Sequence, residues 1–255
     1  MSAQPSGVMQ MIDTLQLGGA ERMAVNIANQ LPPEHFASHM CITRQNGPLA
    51  GEIAPQVQQL VLDRTRRLDL DAFARLRKYI VQHRIRLIHA HGSSLFLAQM
   101  MKALRPSLQV IWHAHYGGYA SAKGRGLLLG LALQRTDAVF VVNHPLVGWV
   151  TATYGLAPDR VRYLPNFVLR PAGVGPAPDL PGTPENRLIC VANLRPLKDQ
   201  LGLVQAMVNV VAEQPEVHLL LVGAEPDATY SAQVRAAIQQ GGWVHRFTCW
   251  GSVRM

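Results

Sequence analysis

Four histidines stand in two His-Ala-His segments, 89–91 and 113–115, and each segment ends an apolar run. Residues two apart in a strand point to the same face, so each pair shares a face. Four imidazoles at neighbouring strand ends could bind zinc, or they could be hydrogen-bonded polar groups at the rim of a cleft. Because no Asp, Glu or Cys joins them, we expect no metal site. In α/β sheets, ligand-contacting groups lie at the carboxyl ends of parallel strands, which is where these histidines stand.

A glycine pair, Gly18 and Gly19, lies between an apolar run at 8–12 and a helical pattern at 20–31. Glycines at such a junction let the backbone approach a phosphate, and the start of the helix supplies N–H donors. The spacing is not GxGxxG, so the dinucleotide-binding fingerprint is absent. The pair indicates either a phosphate-binding turn or a plain tight turn.

Two cations, Arg195 and Lys198, stand in the segment VANLRPLKD at 191–199. The segment joins an apolar run at 187–191 to a helical pattern at 200–213. Two positive charges ahead of a helix start suit a diphosphate, and an exposed basic turn is the alternative.

Short apolar runs alternate with helical patterns along the whole chain. The predicted strands are 8–12, 39–43, 60–62, 87–90, 109–112, 137–142, 187–191, 217–222 and 244–248. The predicted helices are 20–31, 70–83, 94–104, 126–134, 200–213 and 228–240. This alternation predicts a doubly wound α/β fold. The stretch from Pro171 to Pro184 is rich in Pro and Gly and is typical of a linker. We therefore expect a complete Rossmann-like N-terminal domain at 1–170, a linker at 171–184 and a partial Rossmann-like C-terminal domain at 185–255.

The composition excludes disorder and points to anionic ligands. The 255 residues are 48% hydrophobic and 16% charged, and the net charge is +8. No basic tail or helix-turn-helix pattern is visible, so we do not expect nucleic-acid binding. Three widely spaced cysteines, Cys41, Cys190 and Cys249, form no disulfide framework, and the first two lie in apolar runs typical of the core. With no signal peptide and no apolar stretch long enough to span a bilayer, a cytoplasmic location is expected.

Five segments together resemble the family 4 glycosyltransferases, which are retaining enzymes with the two-domain GT-B fold. The segments are GGAER at 18–22, HAHGSS at 89–94, WHAHYG at 112–117, LPNFV at 164–168 and VANLRPLKD at 191–199. They occur in the family's order through nearly the whole chain. The resemblance implies that Gly18 and Gly19 form the glycine loop of the donor site. It also implies that His115 is a catalytic residue beside the transferred sugar, and that Arg195 and Lys198 hold the donor pyrophosphate.

The function implied is transfer of a sugar from a nucleoside-diphosphate sugar to an acceptor hydroxyl, with retention of configuration. The acceptor would be a polysaccharide or a lipid-linked glycan bound on the N-terminal domain, and the C-terminal domain would bind the donor. The enzyme would need no metal or other cofactor. Peripheral association with the inner face of the cytoplasmic membrane is a further expectation. In the GT-B fold, Arg195 and Lys198 would face Gly18 and Gly19 across a cleft.

Two departures from the family pattern leave alternatives open. Phe167 replaces the glycine of the family's PNGVD hinge motif, and no segment matches its E-x7-E motif. Since the chain ends soon after the third predicted strand of the second domain, we expect a truncated, weakly active or inactive form. A non-catalytic remnant or binding module is one alternative, and the missing E-x7-E favours it. Another GT-B enzyme, such as a sugar-nucleotide epimerase, is the second, and the combination of GGAER with LRPLKD argues against it.

Overall fold

The structure is a computed structural model that describes residues 5–66, 68–115, 126–169 and 179–242, and the backbone of 247–250. The chain forms two compact units, Met1–Leu169 (unit 1) and Arg170–Met255 (unit 2). Most of the predicted linker, residues 171–178, lies outside the described residues.

The described part of unit 1 contains a seven-stranded parallel sheet in the order β3-β2-β1-β4-β5-β6-β7. The strands are β1 (Ser6–Thr14), β2 (Phe36–Gln45), β3 (Gln58–Val61), β4 (Ile85–His91), β5 (Gln109–Ala114), β6 (Ala138–Val141) and β7 (Val161–Tyr163). The helices are α1 (Gly19–Gln30), α2 (Leu70–Gln82), α3 (Leu95–Leu104), α4 (Leu127–Gln134) and α5 (His144–Tyr154). The strand order reverses between β1 and β4, and in such sheets the crevice at the reversal is the usual ligand-binding place.

The core of unit 1 lies on both faces of this sheet, as expected of a parallel sheet covered by helices. The interior of β1 is apolar except for Gln10, and Met9 and Met11 on one face are fully buried. Ile12 belongs to a second cluster on the other face, which packs against Ala24 of α1. Because both faces are covered, the strands read as short continuous apolar runs, which is why the sequence predicted them.

Two elements of unit 1 were not predicted from the sequence, α5 and β7. The side chain of Asn143 caps the start of α5 by accepting a hydrogen bond from the Leu146 amide at 3.0 Å. The helix ends at Gly155, whose φ of +65° is left-handed. These are ordinary start and stop signals, but the apolar residues between them follow the helical period weakly. The β7 strand has only three residues, too few for a pattern.

Unit 2 has, among its described residues, a three-stranded parallel sheet in the order β10-β9-β8. Its elements are β8 (Arg187–Val191), α6 (Gln200–Glu213), β9 (His218–Val222), α7 (Ala228–Gln240) and β10 (Phe247–Trp250). The central strand β9 buries Leu219 and Leu221. In contrast β8 lies at the edge of the described sheet, where Ile189 is 53% and Val191 67% exposed.

Of the two cysteines predicted to lie in the core, one is fully buried. Cys41 is fully buried in β2, and burial raises the pKa of its thiol to about 12. Cys190 is only partly buried, because it lies on the edge strand β8, so it packs against the core of unit 2 rather than within it. No helix in the described ranges has both the length and the apolar character needed to cross a bilayer.

Candidate functional site

The two His-Ala-His segments lie side by side, because β4 pairs with β5 and places His91 opposite His113. We call His89, His91, His113 and His115 the histidine row. Its rings lie close together, with centroid distances of contacting pairs from 4.0 to 5.4 Å. His89, His91 and His113 are buried, whereas His115, the first residue after β5, is partly exposed. The row therefore runs from the interior of unit 1 to the carboxyl edge of its sheet.

A chain of hydrogen bonds fixes the protonation of His115. The amide oxygen of Gln10 lies 2.9 Å from Nε2 of His91, and an amide oxygen can only accept, so this nitrogen donates. In the neutral ring, Nδ1 of His91 is then the acceptor, and it lies 2.8 Å from Nε2 of His115. His115 thus donates from Nε2 and has a lone pair on Nδ1. That Nδ1 is buried and forms no hydrogen bond of normal geometry within the described part of the chain, and the Asn166 side chain is the polar group beside the ring.

Burial keeps the whole row uncharged at neutral pH. It lowers the pKa of His89 to about 3 and that of His113 to about 2, and it holds the pKa of His91 well below its usual range. Burial also lowers the pKa of His115 to about 4, with the neighbouring Asn166 side chain acting in the opposite direction. Neighbouring imidazoles add to the effect in the three buried rings. Neutral imidazoles can accept a hydrogen bond, which a protonated ring cannot.

Metal binding is the alternative chemistry for such a cluster. Ligand atoms of His89, His91 and His113 lie within 4.8 Å of one another. The rings of His89 and His113, however, are stacked at an interplanar angle of 6°, so their in-plane lone pairs lie in parallel planes and cannot meet at one point. Both nitrogens of His91 are already hydrogen-bonded. That the row holds no metal stays a prediction, and this geometry supports it.

The backbone conformation at positions 18 and 19 does not require glycine. Gly18 is extended, with φ −160° and ψ 161°, and Gly19 is the first residue of α1. A Cβ at Gly19 would meet only Nδ2 of Asn166, at 3.9 Å, and a Cβ at Gly18 would meet the flexible end of Glu21. By comparison, a Cβ at Gly47 would lie 2.4 Å from a backbone oxygen. Since any residue could adopt these backbone angles, a tight turn does not explain the pair. That the pair binds a phosphate stays a prediction.

The LPNFV segment lies between the glycine pair and the histidine row. Asn26 of α1 donates a hydrogen bond from Nδ2 to the carbonyl oxygen of Phe167 at 3.1 Å, which holds the segment against α1. Asn166 consequently lies beside both Gly19 and His115. Three segments that are far apart in sequence thus meet at the carboxyl edge of the sheet. Sequence reasoning did not identify Asn166 or Gln10 as site residues, although Gln10 is the one polar residue within an apolar strand.

Unit 2 presents Arg195 and Lys198 in a well-anchored connection from β8 to α6. The side-chain oxygen of Asn193 accepts a hydrogen bond from the Ala224 amide at 3.1 Å, which ties the connection to the end of β9. Asp199 then caps α6 by accepting from the amide of Gly202 at 3.2 Å. Arg195 and Lys198 are exposed, and neither forms an ion pair with another described residue. That they face Gly18 and Gly19 stays a prediction.

Solved structures with the same fold include several that were determined with UDP or a UDP-sugar bound. HepE of Anabaena, in complex with UDP and glucose, is 14% identical, with 98% of this chain and 70% of that chain covered and a TM-score of 0.72. TarM of S. aureus, in a complex that includes UDP, is 9% identical, with 97% and 78% covered and a TM-score of 0.72. UDP-GlcNAc 2-epimerase of Neisseria meningitidis is 12% identical, with 97% and 72% covered and a TM-score of 0.59. At these identities the likeness shows the fold, which is the α/β fold of GT-B glycosyltransferases.

A search of the curated proteins finds no significant match. The sequence model of Glycosyltransferase Family 4 does match, over residues 17–168. The matched range starts just before Gly18 and ends at the last residue of LPNFV, so it contains the glycine pair, the histidine row and Asn166. On this match over more than half of its residues, the chain belongs to Glycosyltransferase Family 4.

Proposed function

We propose that the chain transfers a glycosyl group from a nucleoside-diphosphate sugar to an acceptor hydroxyl, with retention of configuration. One observation carries the proposal: Gly18, Gly19, Asn166 and the buried acceptor nitrogen of His115 meet at one edge of the sheet, in a chain of this family. Open backbone, an amide and an acceptor nitrogen suit a sugar phosphate better than an apolar ligand. We place this reaction in the cytoplasm, in line with the free thiols of Cys41 and Cys190.

The diphosphate of the donor would be held by electrostatics. Arg195 and Lys198 stand ahead of the start of α6, whose first amides and dipole also favour an anion. Stabilising the charge that develops on the leaving diphosphate would lower the barrier without a metal or other cofactor. HepE and TarM were both crystallised with UDP. The net charge of +8 supports the same ligand class.

His115 would position the transferred sugar. Because its Nε2 donates to His91, its Nδ1 can accept a hydrogen bond from a sugar hydroxyl. Gln10 and His91 are then positioning residues, since they fix which nitrogen of His115 bears the proton. The sugar's remaining contacts belong to the family's E-x7-E motif, which no segment matches, so we expect slow turnover.

The experiment measures donor binding and transfer separately. The 255-residue chain is titrated with UDP-, GDP- and dTDP-sugars by calorimetry, and radiolabelled donors are then incubated with the chain and cell lipids or oligosaccharides. Lys198→Ala should weaken binding and lower turnover, by about 10²–10³-fold if the lysine acts as one oxyanion donor does. Lys78→Ala, which removes an exposed lysine of α2, is the matched control. Anomeric coupling constants in the product test retention.

The outcomes separate the proposal from its alternatives. Donor binding with turnover that His115→Ala abolishes supports a glycosyltransferase. Binding without turnover above that of the His115→Ala variant would make the chain a binding module, which the unmatched E-x7-E motif favours. Conversion of the donor sugar into its epimer without an acceptor would make it an epimerase. If no nucleoside-diphosphate sugar binds, the proposal is wrong.

A further inference from the structure

A second site opens beside the candidate active site of unit 1. A cavity of about 520 Å³ lies where the connections after β1, β2 and β3 meet the first turns of α2 and α3. Asp13, at the carboxyl end of β1, lines it, and so does Ser93, two residues after His91. The cavity therefore borders the strand-order reversal between β1 and β4, where the donor is expected. A molecule in it would lie at the ends of β1 and β4, on one side of the expected donor site.

One wall of the cavity is apolar and exposed. Its large side chains come from three helices and the segment before α2: they include Leu70, Phe73, Phe96, Met100 and Leu128. Leu70 is 81% and Leu128 72% exposed, and Phe96 and Met100 are each more than 40% exposed. Scattered exposed leucines are common, but a contiguous group around one cavity marks a binding surface. Such an apolar surface suits a flexible hydrocarbon chain.

The cavity also has polar and charged lining residues. The carboxylate of Asp13 is held by two hydroxyl donors, Thr43 at 2.5 Å and Ser93. Arg44 and Arg64 line the cavity too, and Asp69 is occupied in capping α2. A carboxylate that accepts and guanidiniums that donate can together bind the hydroxyl and ether oxygens of a sugar. Positive and negative charges are balanced, so a neutral polar head fits better than a highly charged one.

We propose that this cavity binds the acceptor, and that the acceptor is an amphiphile with a hydrocarbon chain joined to a hydroxyl-bearing head. The chain lies along Phe96, Met100 and Leu128, and the head reaches Asp13 and Arg44. The proposal rests on the proposed function, because it takes the molecule beside the donor to be the acceptor. It separates a lipid-linked acceptor from a polysaccharide, since a polysaccharide has no group that would cover the apolar wall.

The experiment uses the whole chain and soluble probes. Hexyl, heptyl and octyl glucoside, kept below their micelle concentrations, are titrated into the protein by calorimetry, with glucose as the probe that lacks a chain. Affinity should rise with chain length, by up to roughly fourfold for each added methylene group if it is fully buried. Octyl glucoside should bind, and glucose should not bind measurably. Equal affinity for all three glucosides would overturn the proposal.

Two variants on the same helix locate the binding. Phe96→Glu places a charge in the apolar wall and should weaken octyl glucoside binding at least tenfold. Leu104→Glu is the matched control, because Leu104 is 55% exposed on α3 but does not line the cavity. It should leave binding unchanged, and circular dichroism checks that both variants fold. Equal loss in both variants, or loss in neither, would contradict the assignment.

Further measurements distinguish an amphiphilic acceptor from other occupants of the cavity and from the proposed function. Sedimentation of the chain at increasing concentration tests a second copy as the occupant: a dimer that Phe96→Glu dissociates would overturn the proposal. Flotation with phosphatidylcholine vesicles tests a bilayer, and vesicle binding without binding of monomeric octyl glucoside would also overturn it. Glucoside binding is measured without donor, so it can succeed where glycosyl transfer fails. Transfer to free oligosaccharides with no effect of an alkyl chain would support the proposed function and refute this inference.

Discussion

Mild acid should destabilise unit 1 strongly, because its histidine row is held uncharged inside the fold. In the unfolded chain each of these histidines titrates near its ordinary value of 6.5, whereas burial lowers the folded values of His89 and His113 to about 3 and about 2. Between those values the unfolded state binds more protons than the folded state. The free energy of unfolding therefore falls as the pH drops below 6.5, and it is fully retained above that value.

The size of the effect follows from the number of buried rings. At about pH 5.5, each ring that stays neutral in the fold but is protonated in the unfolded chain lowers the free energy of unfolding by about 1.4 kcal/mol. His89, His91 and His113 are all buried, so together they account for about 4 kcal/mol. That is a large part of the roughly 5–15 kcal/mol of a typical domain.

Urea unfolding at a series of pH values between about 7.5 and about 5.5 measures this loss. Circular dichroism and tryptophan fluorescence follow the transition, and Trp112 of β5 is a buried reporter in unit 1. His89→Leu removes one buried ring and should reduce the pH slope at about pH 5.5 by about one proton, or about 1.4 kcal/mol per pH unit. His35→Asn, which removes an exposed histidine, is the matched control. The two variants are compared by the pH slope of their free energy of unfolding, so a change in absolute stability does not affect the result.

Two results would refute this reasoning. One is a free energy of unfolding that stays constant over the whole pH range. The other is a His89→Leu variant with the same slope as the His35→Asn control. Either would mean that the row is hydrated or protonated in the fold.

Three further predictions concern other features. The purified protein should contain no stoichiometric zinc by mass spectrometry, and zinc whose removal by a chelator unfolds unit 1 would contradict this. Gly223→Ala should destabilise unit 2 by about 1–3 kcal/mol, because the new Cβ would lie 2.2 Å from the carbonyl oxygen of Ala192; an unchanged urea midpoint would count against the packing of this connection. Asp69→Ala should cost about 1 kcal/mol, since its side chain accepts from the Ala72 amide at the start of α2, and Asp69→Asn should restore most of the loss.

The alternation of strands and helices could be predicted from the sequence because the sheets are parallel and, apart from the exposed edge strand β8, covered on both faces. Under those conditions a strand is a short continuous apolar run and a helix is an amphipathic one. The predicted bounds of β8, α6 and α7 agree with the structure to the residue. The α5 helix was not predicted, because its glycine and β-branched residues weaken the helical pattern of apolar residues.

The candidate site was only partly accessible from the sequence. The alternation of side chains along a strand predicts that His89 and His91 share a face, and the structure confirms it. The protonation of His115 could not be predicted, because it depends on a hydrogen bond between His91 and Gln10, 81 positions apart. Only the register of β1 against β4 brings that pair together. Likewise, the role of Asn166 depends on the contact of its segment with α1.

The edge strand β8 has a practical consequence for handling the protein. Its backbone donors and acceptors on one side have no strand partner among the described residues, and Leu188, Ile189 and Val191 are 43%, 53% and 67% exposed. Such an edge is a template onto which a strand of another molecule can add, and an apolar one aggregates most readily. The two edge strands of unit 1, β3 and β7, have only four and three residues and offer a shorter template. Precipitation at high concentration should therefore begin at β8, and a lysine in place of Ile189 should raise the solubility of the whole chain.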